Sequence, residues 1–192
     1  MWLAAFHEVR ALACSTATLL NFMQHIHIRR RASSILQRNA KMYGPSHALD
    51  SRSSACWNSE GLTSSSATTP HHWFRLDFGR VVHLHAVAVQ FQAGFVAQTG
   101  RIEALMKDGS EESSPWEILE DAAEWKDVHE LQRLDLPATA VDLGVVALRL
   151  VLEDCTDFYG RVILYQVQVW GQEHYKDADD ENTNAPGETF QG

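Results

Sequence analysis

The sequence is short of several things, and each shortage removes a class of protein. Cys14, Cys56 and Cys155 are the only cysteines in 192 residues, an odd count with no Cys-x-x-Cys pair. That speaks against a disulfide framework and a zinc knuckle, and fits a reducing compartment. Cys56 and Cys155 are expected as small buried apolar residues, the usual fate of a free thiol. Ala11–Met23 is mostly apolar but about half the length a membrane span needs. No Gly-x-Ser-x-Gly elbow, glycine-rich phosphate loop or paired-carboxylate motif occurs in a recognisable setting. The expectation is a non-enzymatic protein without a cofactor.

What is present is a chain 45% hydrophobic and 21% charged, enough apolar material for a packed core. Its net charge of −9 is unevenly spread. Residues 1–40 carry five Arg (Arg10, Arg29, Arg30, Arg31, Arg38) against Glu8, a net of +4. Residues 172–192 carry six acids against Lys176, a net of −5, so residues 41–171 carry −8. A central region that acidic is a poor partner for a phosphate backbone, and direct nucleic-acid binding is not expected.

Three segments follow from this. Residues 1–32 read as a basic N-terminal extension, disordered or helical. Their basic residues come after the apolar run, the wrong order for a secretory signal. A mitochondrial transit role and a nuclear-localisation role for Arg29–Arg31 are the alternatives, although three basic residues are below the usual cluster size. Residues 172–192 read as an acidic disordered tail.

Between them the hydrophobic period is two. Strands are predicted over His72–Phe78, Val81–Gln92, Gly100–Met106, Trp116–Leu119, Leu131–Leu136, Val145–Leu152 and Gly160–Trp170. Val145–Leu152 is apolar at nearly every position, as a strand buried on both sides would be. Ile163, Tyr165, Val167 and Val169 share one face of the last strand. Several short strands with turn signals between them define an all-β sandwich or barrel.

Ten histidines invite a metal reading. His83 and His85 stand two apart, on one strand face, but a third ligand is not apparent. They read as polar residues on a partly solvated face; His71 and His72 point to opposite faces. Three segments are more pointed: Cys56-Trp57-Asn58-Ser59, Gln90 to Phe95, and Asp154 to Val162. Each joins aromatics to polar groups near a strand end, where rigid anchors are often carried. The candidate binding residues are Trp57, Asn58, Phe95, Asp157, Phe158, Tyr159 and Arg161. For Trp57 a core role is favoured, since large aromatics dominate burial. Phe158 and Tyr159 are adjacent in a tight connection and cannot both face inward easily. Arg161 can stack on them or pair with Asp157.

The order Ala48-Leu49-Asp50, Trp57, Trp73–Phe78 and Trp170-Gly171 resembles the discoidin, or coagulation factor V/VIII type C, domain family over roughly residues 33–171. The resemblance implies a discoidin-type jelly-roll β-sandwich of about eight strands. Four motifs, SSILQRNAKMYG, CWNS, QFQAGF and DFYGRVILY, are similar to a small intracellular branch of that family. Its members associate with an orphan nuclear receptor and repress transactivation by hindering DNA binding. The resemblance therefore implies a protein partner of that kind and a nuclear and cytoplasmic location. Many discoidin domains hold a structural calcium after the Ala-Leu-Asp motif. Here Asp50 is kept, but Ser51 and Ala55 replace the usual Gly and Thr, and Gln166 and Gln168 replace the usual Glu. Asp50 is the single calcium candidate, and a turn-capping role is favoured for it. The competing functional classes are a carbohydrate- or lipid-binding discoidin module and a scaffold subunit of a larger assembly.

Overall fold

The computed structural model describes residues 28–50, 54–62, 71–107, 116–138 and 143–173. Eight strands form antiparallel pairs: β1 (Arg29–Ala32), β2 (Trp57–Asn58), β3 (His72–Phe91), β4 (Ala97–Met106), β5 (Glu117–Glu124), β6 (Leu131–Asp135), β7 (Val145–Cys155) and β8 (Ile163–Glu173). One short helix, α1 (Ala40–Tyr43), lies between two 3₁₀ turns ahead of β2. Among the described residues no helix is long and apolar enough to cross a membrane.

The two predicted strands around Gly79 are one strand of 20 residues. Phe78 ends the first apolar series, and Gly79 takes a φ of 70°, a conformation costly for other residues. The β3–β7 register shifts between Asp77 and Val82, where the strand bends. Before the bend β3 lies between β1 and β7, in the order β1-β3-β7-β4-β5; after it, between β6 and β8, with β2 beyond β8. One strand thus serves two sheets, and the core fills the space between them. Phe74, Phe78 and Phe91 from β3, Ile102 from β4, Leu148, Leu150 and Leu152 from β7 and Leu164 from β8 are fully buried there. Each large aliphatic or aromatic side chain removed from water contributes about 1.5–3 kcal/mol, which makes this cluster the main source of stability.

Three boundaries differ from the sequence reading. Arg29–Ala32, read as part of the extension, pairs with β3 from Arg29↔Asp77 to Ala32↔Phe74. Three consecutive arginines give no alternating signal, so only the neighbouring strand edge reveals this one. Strand β5 continues to Glu124 through acids and alanines that lack strand propensity, because Thr99 and Gly100 of β4 pair with Glu124 and Ala123. Gln172 and Glu173, assigned to the tail, extend β8 opposite His83 and Val82. Residues 1–27 and 174–192 lie outside the described residues, as do their predicted disorder and targeting roles.

Candidate partner-binding site at one end of the sandwich

The three pointed segments meet where β2 ends, β3 gives way to β4, and β7 gives way to β8. Backbone hydrogen bonds tie the connections together. The Ile163 N–H donates to the Phe95 carbonyl (3.1 Å), Gln92 N–H to the Ile163 carbonyl (3.0 Å), and Thr156 N–H to the Val96 carbonyl (2.8 Å). The Gly94 N–H donates to Asp127 Oδ1 at 2.7 Å, fixing the glycine turn of Gln90 to Phe95 from a fourth segment.

Asp157 organises the β7–β8 connection. Its carboxylate accepts from the backbone N–H groups of Tyr159 (3.1 Å) and Arg161 (3.1 Å), and from Arg161 Nε (3.0 Å) and Nη2 (3.2 Å). The forked guanidinium contact holds the Asp157 carboxyl below its ordinary pKa and raises that of Arg161. Gly160 completes the turn at φ 71°, donating to the Asp157 carbonyl at 2.8 Å. Held in this way, Phe158 is 87% exposed and Tyr159 57% exposed, with their rings edge to face at 5.3 Å. The Arg161 guanidinium lies 5.0 Å from the half-buried Phe95 ring and 5.6 Å from the Tyr159 ring. Both roles expected for Arg161, pairing and stacking, are therefore present.

Trp57 and Asn58 lie at the same end but are turned inward. Trp57 is fully buried, packs on Phe74 at 5.5 Å, and donates its indole N–H to the Ser34 carbonyl at 2.9 Å. Asn58 is 8% exposed. Neither can meet a partner directly; burial in the core beneath the loops is the reason. Asp50 is exposed at the end of the second 3₁₀ turn, and its N–H donates to the His47 carbonyl at 3.2 Å. Ser51, beside it, is outside the described residues. Among the described residues no three His, Cys, Asp or Glu side chains converge, so Asp50, His83 and His85 are not brought into a cluster. Cys56 and Cys155 are half-buried, and burial pushes the Cys155 thiol up to about 11, which leaves it unreactive at neutral pH.

His72 and Ser59 carry the support that sequence reasoning did not identify. His72 is buried, with Nε2 2.7 Å from the Gly160 carbonyl and 3.1 Å from Ser59 Oγ. Ser59 Oγ also accepts from the Val162 N–H at 2.8 Å. On the other ring edge Nδ1 lies 3.3 Å from Ser33 Oγ, which accepts from the Trp73 N–H. A neutral ring with its proton on Nε2 satisfies this whole network, with the Ser33 hydroxyl donating to Nδ1. Burial agrees, since it lowers the His72 pKa. This one ring couples the start of β3 to the segment after β2 and to the exposed turn. Its two hydroxyl partners, Ser33 and Ser59, are distant in sequence, so no local motif announces them. The Tyr159–Gly160 backbone also packs on Gly61 and Leu62, where a Cβ on Gly61 would fall 2.7 Å from the Tyr159 carbonyl oxygen.

The bent strand shared by two sheets and the loop cluster at one end define a discoidin-type β-sandwich. Solved structures agree. The F5/8 type C domain of a Bacteroides fragilis protein superposes with a TM-score of 0.62 at 14% identity, covering 77% of this chain and 93% of that one. A chitosan-binding module of a Paenibacillus chitosanase/glucanase, solved with chitotriose, superposes at 0.58 with 16% identity, covering 76% and 98%. A family 32 carbohydrate-binding module from Clostridium perfringens, solved with galactose, superposes at 0.53 with 11% identity, covering 74% and 93%. No family model matches the chain.

Closer relatives narrow the class. The nuclear receptor 2C2-associated protein of Bos taurus is 34% identical over 142 residues, 74% of this chain and 89% of the relative. Its counterpart in Homo sapiens is 32% identical over 142 residues, 74% and 90%. The chain belongs to the nuclear receptor 2C2-associated protein family.

Proposed function

We propose that this chain is a protein-interaction module whose contact surface is the Phe158–Tyr159 turn, with Phe95, Asp157 and Arg161 beneath it. The observation that carries the reading is the exposure of two adjacent large aromatics on a turn locked from below. Apolar groups that size are exposed at a cost in water, and rigid aromatic anchors flanked by arginine dominate binding energy where partners meet. The names of its relatives support a nuclear receptor as that partner. Repression of that receptor's transactivation, in nucleus and cytoplasm, is the further part of the proposal. A domain with an acidic surplus can occupy a basic DNA-reading surface without touching DNA itself.

The test is affinity purification of the tagged full chain from its own cells beside the Phe158→Ala/Tyr159→Ala version. Recovery of a nuclear receptor with the wild type alone supports the reading. Equal recovery of the receptor by both versions overturns the assigned surface.

One specific observation favours a second reading. Solved structures of the same fold hold chitotriose or galactose, and this end of the sandwich offers aromatics beside a charged pair. Binding of the chain to a glycan array, lost in the double-alanine version, would favour it.

A further inference from the structure

Strand β1 carries a groove of about 650 Å³ along its flank, lined by Ile28, Arg29, Arg30 and Arg31 on one side and by Ala40, Gly44, Pro45 and Ser46 on the other. Arg31 pairs with Asp77 at 3.2 Å. Among the described residues Arg29 and Arg30 have no carboxylate partner, and Arg30 Nε is buried with no hydrogen-bond acceptor. Desolvating a guanidinium N–H without an acceptor is costly, so the groove calls for an anionic oxygen.

The register of β3 shows which part of the chain is aimed there. Asp77 faces Ala147 of β7 on one edge and Arg29 of β1 on the other. Val82 faces Val145 of β7 on the first edge and Glu173 of β8 on the other. The end of β8 and the start of β1 therefore share an edge of β3, five residues apart, at most about 17 Å along an extended strand. Strand β8 is antiparallel to β3, so at Glu173 the strand is directed from Val82 toward Asp77, the partner of Arg29. Arg80, between the two, pairs with Glu173 at 2.7 Å. Residues 174–192 follow and contain Asp177, Asp179, Asp180, Glu181 and Glu188 against Lys176. Nineteen residues span up to about 60 Å, several times the separation. Residues 1–27 hold one Glu and one Arg and offer no complementary charge.

We infer that the acidic segment 174–192 docks in the Arg29–Arg30 groove. Its carboxylates supply an acceptor for the buried Arg30 Nε and a counter-charge for the exposed Arg29, and tethering raises their local concentration to the millimolar range. The segment is thus a built-in competitor for any acidic partner presented to this flank.

The experiment compares amide NMR spectra of the isotopically labelled full chain with those of a D177N/D179N/D180N/E181Q version. Neutralising the segment is expected to shift the amides of Ile28–Arg31, Gly44 and Ser46, and about 0.5 M salt is expected to move the wild type to the same positions. A synthetic peptide of residues 174–192 added to the neutralised chain should restore the shifts, about tenfold more weakly at 0.5 M than at 0.05 M salt. An R29Q/R30Q chain should shift the amides of residues 177–181. Groove amides unmoved by neutralisation overturn the inference. So does movement confined to residues 157–161, or a groove that responds to an added oligonucleotide but not to the peptide.

Discussion

Cys56-Trp57-Asn58-Ser59 and Asp157-Phe158-Tyr159-Gly160 read alike as sequence: aromatic and polar residues together near a strand end. The fold sends them in opposite directions. Trp57 sits under Ser34 and Phe74 with its indole N–H satisfied, while Phe158 and Tyr159 stand in water on a turn whose polar groups are satisfied from below. An aromatic with a hydrogen-bond partner inside can be buried; two adjacent aromatics on a turn with both flanks already used cannot. His72 links the two regions, since it bonds Ser59 of one and Gly160 of the other.

The contrast can be broken most sharply at its extremes. Trp57→Ala is expected to cost about 3–5 kcal/mol, because a fully buried indole leaves a cavity. Phe158→Ala with Tyr159→Ala should change stability by less than about 0.5 kcal/mol while removing partner binding. Urea denaturation of both proteins checks the pair, and similar losses of stability would show that the turn is part of the core.

His72→Ala should cost about 1–3 kcal/mol by taking the ring donor from the Gly160 carbonyl and breaking its tie to Ser59, and should loosen the turn and the Ser59 segment together. Hydrogen exchange at Val162 and Ser59 reads this directly; loosening of one segment without the other would deny the link. The same ring sets a pH dependence. Its folded pKa lies below the unfolded value of about 6.5, so the unfolded chain binds the proton first. Stability should fall as pH drops below about 6.5, and His72→Gln should flatten that limb of the curve. Thermal melts across pH 5 to 8 measure it.

Smaller effects sharpen the turn itself. Gly160→Ala places a Cβ at φ 71° and 3.1 Å from Leu62 Cβ, for an expected cost of about 1 kcal/mol and a displaced Tyr159. Arg161→Lys keeps the charge but loses the fork to Asp157; a loss of less than about 1 kcal/mol, with weaker partner binding, is expected from melts and titration. Unchanged binding would detach Arg161 from the contact surface.

Much of the fold was legible along the chain. Period-two runs in His72–Phe78, Val145–Leu152 and Gly160–Trp170 mark strands because a pleated backbone alternates its faces, whatever packs on them. The exposed aromatics were legible for the related reason that a short connection has little interior to offer. The sequence by itself thus determined the all-β class, the apolar inventory of the core and the family, which rests on motifs in order. Tertiary structure decided the rest. Arg29–Ala32 is a strand because β3 lends it an edge, β5 reaches Glu124 because β4 pairs with it, and β3 crosses both sheets because Gly79 lets it bend without stopping. It also decided that His72, with partners 39, 13 and 88 residues away, holds the site. Those outcomes depend on which groups meet across long separations in the chain, and no local pattern of residues records that.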